Sequence, residues 1–120
     1  MSLIPLRPEV MEYVTLAKVV ITGGAAAWTT FRARTLSRYE KDLLRAAADS
    51  GQFALLTAAQ LPGPIVRAGA VTFPDHDGAP ALDALYRDAF ERLIRRGYVE
   101  HIIDQRFSLT SAGFARARTL

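Results

Sequence analysis

The sequence predicts a mainly α-helical protein with a small β hairpin, and the first observation behind this prediction is one long apolar stripe. Between Leu82 and Ile94 the apolar residues recur at the three- and four-residue spacing of a helix, so they line one face. Pro80 suits the first turn of this helix, and Gly97 suits the left-handed position just past its end. The pattern therefore predicts a helix over residues 80–96.

The second observation is a change of period after Gly97. Apolar and polar residues alternate over residues 98–103 and again over residues 106–110, which is typical of two strands. The polar break at residues 104–105 predicts that these strands form a hairpin. A threonine or serine can then cap a last short helix over residues 112–118. The predicted order is helix, strand, strand, helix.

These elements, with the phrases LIRRGYVEH and FSLTSAGFARA, resemble the second half of a winged helix-turn-helix domain. In that superfamily a recognition helix leads into a β wing through Arg-Gly, an aromatic residue or Leu, and then Val or Ile. The closing helix begins at Leu-Thr-x-x-Gly. The matching positions are Leu93, Arg96, Gly97, Tyr98, Val99, Leu109, Thr110 and Gly113. The resemblance covers residues 80–118. It implies a winged-helix-like domain over residues 37–120. Residues 1–36 before this domain are predicted to contain a long N-terminal helix.

The middle of the chain departs from the winged-helix pattern. Ser37 and Glu40 form a capping box, which predicts the first helix of the domain. The expected second helix has only residues 54–61, at most two turns, before the sequence Pro-Gly-Pro. Residues 65–73 then have extended, β-branched character. The motif is therefore either degenerate or carries an insertion.

The N-terminal helix carries a heptad-like seam, which predicts a homodimer. After a helix start at Pro8-Glu9, apolar or small residues recur at alternating spacings of four and three. Two helices pack along such a seam, and small residues let their backbones approach closely. The predicted dimer interface consists of Val10, Val14, Ala17, Ile21, Gly24, Trp28 and Phe31.

A membrane anchor is the alternative for the same segment. In residues 13–31 Lys18 is the only charge, and several basic residues follow, as in the positive-inside pattern. Against an anchor, the uncharged run over residues 19–31 is short and is interrupted by threonines and glycines. The sequence leaves both a packed helix and membrane contact through residues 13–31 open.

Composition indicates a globular protein, expected in the cytoplasm or, if it is anchored, on the inner face of the membrane. Its 120 residues support one domain with little room for a second, and half of them are hydrophobic. The chain has no cysteine, which excludes disulfides and thiolate metal sites and fits a reducing compartment. Fifteen basic and twelve acidic residues give a net charge of +3, which is compatible with binding a polyanion.

The favoured hypothesis for function is a small dimeric DNA-binding regulator of transcription. The winged-helix resemblance implies that residues 80–96 enter the major groove, where arginines contact guanine edges and phosphates. Dimerisation through the N-terminal helix would double the number of basic contacts. The candidate nucleic-acid-binding residues are Arg87, Arg92, Arg95, Arg96, Arg106 and Arg116.

The alternative hypothesis is a winged-helix protein-protein interaction module that does not bind DNA, with or without a membrane tether. The long helix contains three pairs of opposite charge four residues apart, in the orientation that stabilises a helix. A helix face whose arginines pair with its own carboxylates binds DNA weakly, because the carboxylates repel phosphates. The pairs are Asp83 with Arg87, Asp88 with Arg92 and Glu91 with Arg95.

Patterns that indicate catalysis or metal binding are scarce. Asp75-His76-Asp77 has metal-capable side chains, but three consecutive residues point in different directions, which predicts a solvated turn. His101 lies in a predicted strand, where a structural role is expected. The sequence contains no nucleophile elbow, phosphate loop or zinc-protease motif. We therefore expect no enzymatic activity, no cofactor, no metal and no small-molecule substrate.

Overall fold

A computed structural model describes residues 8–23, 35–57, 64–73 and 80–120 of the chain. Within these ranges the secondary structure consists of four helices and five strands. The helices are α1 (Pro8–Gly23), α2 (Arg38–Ala47), α3 (Pro80–Arg95) and α4 (Ser111–Ala117). The strands are β1 (Gln52–Leu56), β2 (Ile65–Ala68), β3 (Val71–Phe73), β4 (Val99–Ile103) and β5 (Arg106–Leu109).

The five strands form one antiparallel sheet in the order β3-β2-β1-β5-β4. In the central strand β1, Phe53 pairs with Ala68 of β2 on one side and with Phe107 of β5 on the other. All three side chains are buried and therefore belong to the core face of the sheet. Arg67 and Arg106 lie on the opposite, outer face, and both are exposed.

Helix α3 lies against the core face of the sheet and joins it to α1. The ring of Phe90 is fully buried, and its centroid is 5.3 Å from that of Phe53 and 5.2 Å from that of Phe107. Tyr13 of α1 approaches the same ring, with the centroids 5.8 Å apart. Burial of such aromatic surface is a main source of stability in a small domain. One hydrophobic core therefore includes α1, α3 and the sheet.

The predicted helix ends are confirmed. The hydroxyl of Ser37 accepts from the backbone N–H of Glu40, and the carboxylate of Glu40 accepts from that of Ser37, both at 3.2 Å. Gly97 follows α3 with a φ of +79°, which favours glycine. Thr110 caps α4 by accepting from the N–H of Gly113 at 3.1 Å. A Cβ at position 113 would overlap a backbone carbonyl oxygen, so this site requires glycine.

The predicted fold class is wrong. We expected a mainly α-helical, winged-helix-like protein with a small hairpin, whereas the β4–β5 hairpin belongs to a five-stranded sheet. Residues 54–56, which we expected in a short helix, lie in the central strand β1. The extended character predicted for residues 65–73 is confirmed by β2 and β3. The strand β1 was missed because it pairs with β5 more than fifty residues away, and such pairing overrides a local preference.

The segment considered as a membrane anchor, residues 13–31, is described only as far as Gly23, where α1 ends. Across the described ranges, no helix combines the length and the apolar composition that crossing a bilayer requires. Residues 24–31 of the segment lie outside the described residues.

Candidate functional site

Arg96, a predicted DNA contact, is buried in the protein. Its Nε donates to Oε2 of Glu40 at 2.6 Å, and its Nη2 donates to the carbonyl oxygen of Thr35 at 3.2 Å. The side chains of Arg96 and Glu40 are only 4% and 1% exposed. Because Glu40 also closes the capping box of α2, this ion pair fixes the end of α3 to the start of α2.

The neighbouring Arg95 has different surroundings. Its Nη2 lies 2.9 Å from Oε1 of Glu91, and the two side chains are 37% and 39% exposed. This contact confirms one of the three predicted charge pairs on the long helix. The other two predicted pairs form no ion pair among the residues that the structure describes.

The remaining candidate arginines come from three different elements. Arg92 of α3 and Arg106 of β5 are exposed. Arg87 is partly buried, and its Nη1 has no hydrogen-bond partner in the described part of the chain. Arg116 of α4 donates to a threonine hydroxyl at 2.7 Å. Helix α3 therefore does not present the row of four arginines that the sequence suggested.

The first part of the predicted dimer seam lies in the core of the monomer. Val10, Val14 and Ala17 are 3%, 2% and 1% exposed, because α1 packs against α3 and β4. These three side chains are not accessible to a second copy. The side chain of Ile21 and the residues Gly24, Trp28 and Phe31 lie outside the described part of the structure.

Another face of α1 forms one wall of a groove of about 680 Å³. The other wall consists of Glu91 and Arg95 of α3. Two large apolar side chains on α1, Met11 and Val19, are 41% and 53% exposed along it. The groove is therefore mainly apolar along α1 and ionic along α3. Its residues on α1 are Pro8, Met11, Glu12, Tyr13, Thr15, Leu16 and Val19.

Two further polar groups of the groove come from α1. Glu12 is exposed and forms no ion pair with any residue that the structure describes. Tyr13 is partly buried, and burial, followed by the carboxylate of Glu91, raises the pKa of its hydroxyl to about 12. Tyr13 is therefore a neutral phenol at ordinary pH. The groove presents a carboxylate and a neutral hydroxyl beside its apolar floor.

The groups predicted to lack catalytic roles either have structural partners or are not described. The Nε2–H of His101 donates to the carbonyl oxygen of Asp104 at 2.8 Å, and its ring packs against Phe107 with the centroids 5.2 Å apart. His101 therefore stabilises the β4–β5 turn. Asp75-His76-Asp77 lies outside the described residues. In the remainder of the chain that is described, no three acidic, histidine or cysteine side chains form a group that could hold a metal ion.

Comparisons with protein-family models, with characterised proteins and with solved structures found no match. The candidate site is therefore defined by the geometry of the groove alone. An apolar strip along one helix, bordered by charged side chains, is typical of surfaces that bind an amphipathic helix.

The groove face of α1 was not predicted. Met11, Thr15 and Val19 recur every four residues, as regularly as the seam that begins at Val10 and Val14. Because α1 is apolar on more than one side, its periodicity does not tell which side the rest of the chain covers. Helix α3 and strand β4 pack against the side of α1 that carries Val10 and Val14, and the side that carries Met11 and Val19 therefore remains exposed.

Proposed function

We propose that this protein is a protein-interaction module that binds an α-helix in the groove between α1 and α3. The observation that carries the proposal is the exposure of Met11 and Val19, at 41% and 53%, along a concave surface. An amphipathic helix that docks there removes both side chains from water, and this burial favours binding.

The dimensions of the groove fit a short helix. Pro8 and Val19 are eleven residues apart on α1, which corresponds to about 17 Å at ~1.5 Å per residue. A docking helix of about three turns matches this length. Thr15, midway along α1 between Met11 and Val19, has a short side chain, so a second helix can approach closely there. Met11 and Val19 then contact it on both sides of the crossing point.

The positions of the arginines favour this function over DNA reading by α3. A recognition helix needs arginines that reach base edges and phosphates, but Arg96 is buried and Arg95 faces a carboxylate of its own helix. Glu91 and Arg95 are partly exposed and pair with each other. Among the other side chains of α3 that the structure describes, Leu85, Asp88 and Arg92 are exposed, which are one apolar, one acidic and one basic residue. Such a stripe has no net positive charge, and its acid repels phosphates.

A displayed library of stapled amphipathic helices, selected on the wild-type protein, tests helix binding. The selected peptides are then measured on Thr15→Arg, which places a long charged side chain between Met11 and Val19. Gln52→Arg, which adds the same charge on the outer sheet face, is the matched control. We expect Thr15→Arg to weaken binding at least about tenfold and Gln52→Arg to leave it unchanged. Peptides that bind both variants equally, or a selection that yields none, would contradict the proposal.

Titration against a mixed-sequence DNA duplex at about 50 mM and about 200 mM salt tests the competing function. We expect no binding that depends on Arg92, which is exposed on α3. Affinity that falls steeply with salt and is abolished by Arg92→Glu would establish α3 as a DNA-contacting helix. The regulator hypothesis would then replace helix binding as the account of function.

A further inference from the structure

We infer that the helix that enters the groove is α1 of a second copy of this chain, packed antiparallel with Thr15 at the two-fold axis. This pairing rests on the helix-binding function proposed above and names the partner. Exposed side chains on both sides of Thr15 support it. They are Met11, Glu12, Lys18 and Val19.

The side chains of α1 are matched at equal distances from Thr15. Four residues away on either side is an exposed apolar residue, Met11 at 41% and Val19 at 53%. Three residues away on either side is an exposed charged residue, Glu12 and Lys18, of opposite sign. In an antiparallel pair with the two-fold axis at Thr15, positions at equal distances lie level with each other. Met11 therefore lies level with Val19 of the second copy, and Glu12 with Lys18 of the second copy.

These five residues share one face of α1. At about 100° per residue they fall within an arc of about 120°, the width of a typical helix-packing face. Val10, Val14 and Ala17 lie on another face, which is buried against α3 and β4. The dimer contact therefore does not compete with the monomer core, and it uses a different face of the helix from the seam that the sequence suggested.

The charges favour the antiparallel orientation. In a parallel two-fold pair, Glu12 would lie level with Glu12 of the second copy and Lys18 level with Lys18, so that like charges repel. The antiparallel pair places each carboxylate level with an ammonium group of the other copy on the opposite edge of the seam, and both side chains are long enough to approach each other across the seam. The groove accepts the second helix beside α3, where Met11 and Val19 lose their exposure together.

Introduced cysteines test this geometry, because the chain has none of its own. Helix axes about 8–10 Å apart bring two α-carbons at the two-fold axis close enough for a disulfide, which needs about 4.4–6.8 Å. We expect Thr15→Cys to form a disulfide-linked dimer under mild oxidation. Gln52→Cys on the outer sheet face should remain largely monomeric. Met11→Cys mixed with Val19→Cys should cross-link more than either variant alone.

A charge exchange tests the orientation. Sedimentation velocity over a range of protein concentrations measures the dimer dissociation constant for wild type, Glu12→Lys, Lys18→Glu and the double variant. We expect each single substitution to weaken the dimer about tenfold, and the double substitution to restore it to within about threefold of wild type. Melting curves at low protein concentration establish that each variant folds. A double variant as weak as the single ones would contradict the antiparallel pairing.

A protein that stays monomeric at every concentration, and whose Thr15→Cys variant cross-links no more than Gln52→Cys, overturns self-association. The peptide-binding experiment tests the helix-binding function independently of self-association. If selected peptides still bind in a manner sensitive to Thr15→Arg, the groove binds a helix of another protein and only the self-pairing is lost. If the peptides fail as well, both proposals fall.

Discussion

Two adjacent arginines at the end of α3 form ion pairs that differ in partner, burial and consequence. Arg96 meets Glu40 of α2 at 2.6 Å, and both side chains are almost completely buried. Arg95 meets Glu91, one turn earlier in the same helix, at 2.9 Å, and both side chains are more than one third exposed. The same residue type in consecutive positions thus belongs to the core in one case and to the groove in the other.

Burial determines what each pair contributes. The buried charges lose their hydration, and further hydrogen bonds compensate: Arg96 also donates to the carbonyl oxygen of Thr35, and Glu40 also accepts from Ser37. Such a pair is costly to break from one side. Water screens the exposed pair, whose contribution is about 0–1 kcal/mol. The buried pair therefore fixes α2 against α3, whereas the exposed pair keeps charge at the rim of the groove.

Arg96→Ala is expected to have the largest effect, a loss of about 3–5 kcal/mol in the free energy of unfolding, because Glu40 is left buried without its partner. Arg95→Ala is the matched control, with the same truncation one position earlier and an expected loss of about 0.2–1 kcal/mol. Urea denaturation measures both, with the m value as a check on two-state unfolding. Equal losses in the free energy of unfolding of the two variants would show that burial does not make the Arg96–Glu40 pair more stabilising than the Arg95–Glu91 pair.

Removing both buried charges is expected to cost less than removing one. Glu40→Leu combined with Arg96→Leu leaves no isolated charge in the core, so this variant should be more stable than either single leucine variant. A deficit of about 0.5–1.5 kcal/mol should remain, because the backbone N–H of Ser37 loses the carboxylate that accepts from it. The double-mutant cycle gives the coupling energy of the pair. A coupling energy near zero would mean that the two side chains act independently.

Added salt should weaken the contribution of the exposed pair to stability and leave that of the buried pair nearly unchanged. Between about 0.1 M and about 1 M sodium chloride the screening length falls from about 10 Å to about 3 Å. We expect the stability difference between wild type and Arg95→Ala to fall towards zero over this range. The stability difference between wild type and Arg96→Ala should stay nearly constant, because water and ions are excluded from the buried pair. A large salt dependence for Arg96→Ala would indicate that water enters the site.

Structure that is decided within a few residues was predictable from the sequence. The bounds of α3 depend on its apolar stripe with Pro80 and Gly97, the start of α2 on its capping box, and the exposed pair on the four-residue spacing of Glu91 and Arg95. Each of these is confirmed. In such cases the partner of each group lies in the same turn of the chain, so a local pattern contains the necessary information.

Structure that depends on distant partners was not predictable. The local sequence of residues 54–56 favours a helix, but the structure places them in strand β1, which pairs with β2 and β5. Arg95 and Arg96 are the same residue type in consecutive positions, and only the packing of α2 against α3 buries the second. The two apolar sides of α1 are equally regular, so the sequence did not distinguish the core side with Val14 from the groove side with Val19.

Glu91 of the exposed pair also acts on Tyr13 beneath the groove. Burial first, and the carboxylate of Glu91 second, raise the pKa of Tyr13 from its ordinary value of 10.0 to about 12. Between these two values the folded protein keeps the phenolic proton while the unfolded chain loses it. The free energy of unfolding therefore falls as the pH rises through this window, and the contribution of Tyr13 is constant below it.

Glu91→Gln is expected to have the smallest effect, a lowering of the pKa of Tyr13 by the minor part of its shift. The substitution removes a nearby negative charge, which favours the phenolate, but it leaves the burial that is the larger cause. Ultraviolet absorbance of phenolate, followed as the pH is raised, measures the change, and Tyr13→Phe identifies the transition that belongs to this residue. A return of the pKa to its ordinary value in Glu91→Gln would show that the charge of the exposed pair, and not burial, keeps Tyr13 protonated. That result would also mean that water reaches the floor of the groove more freely than the packing of Tyr13 against Phe90 implies.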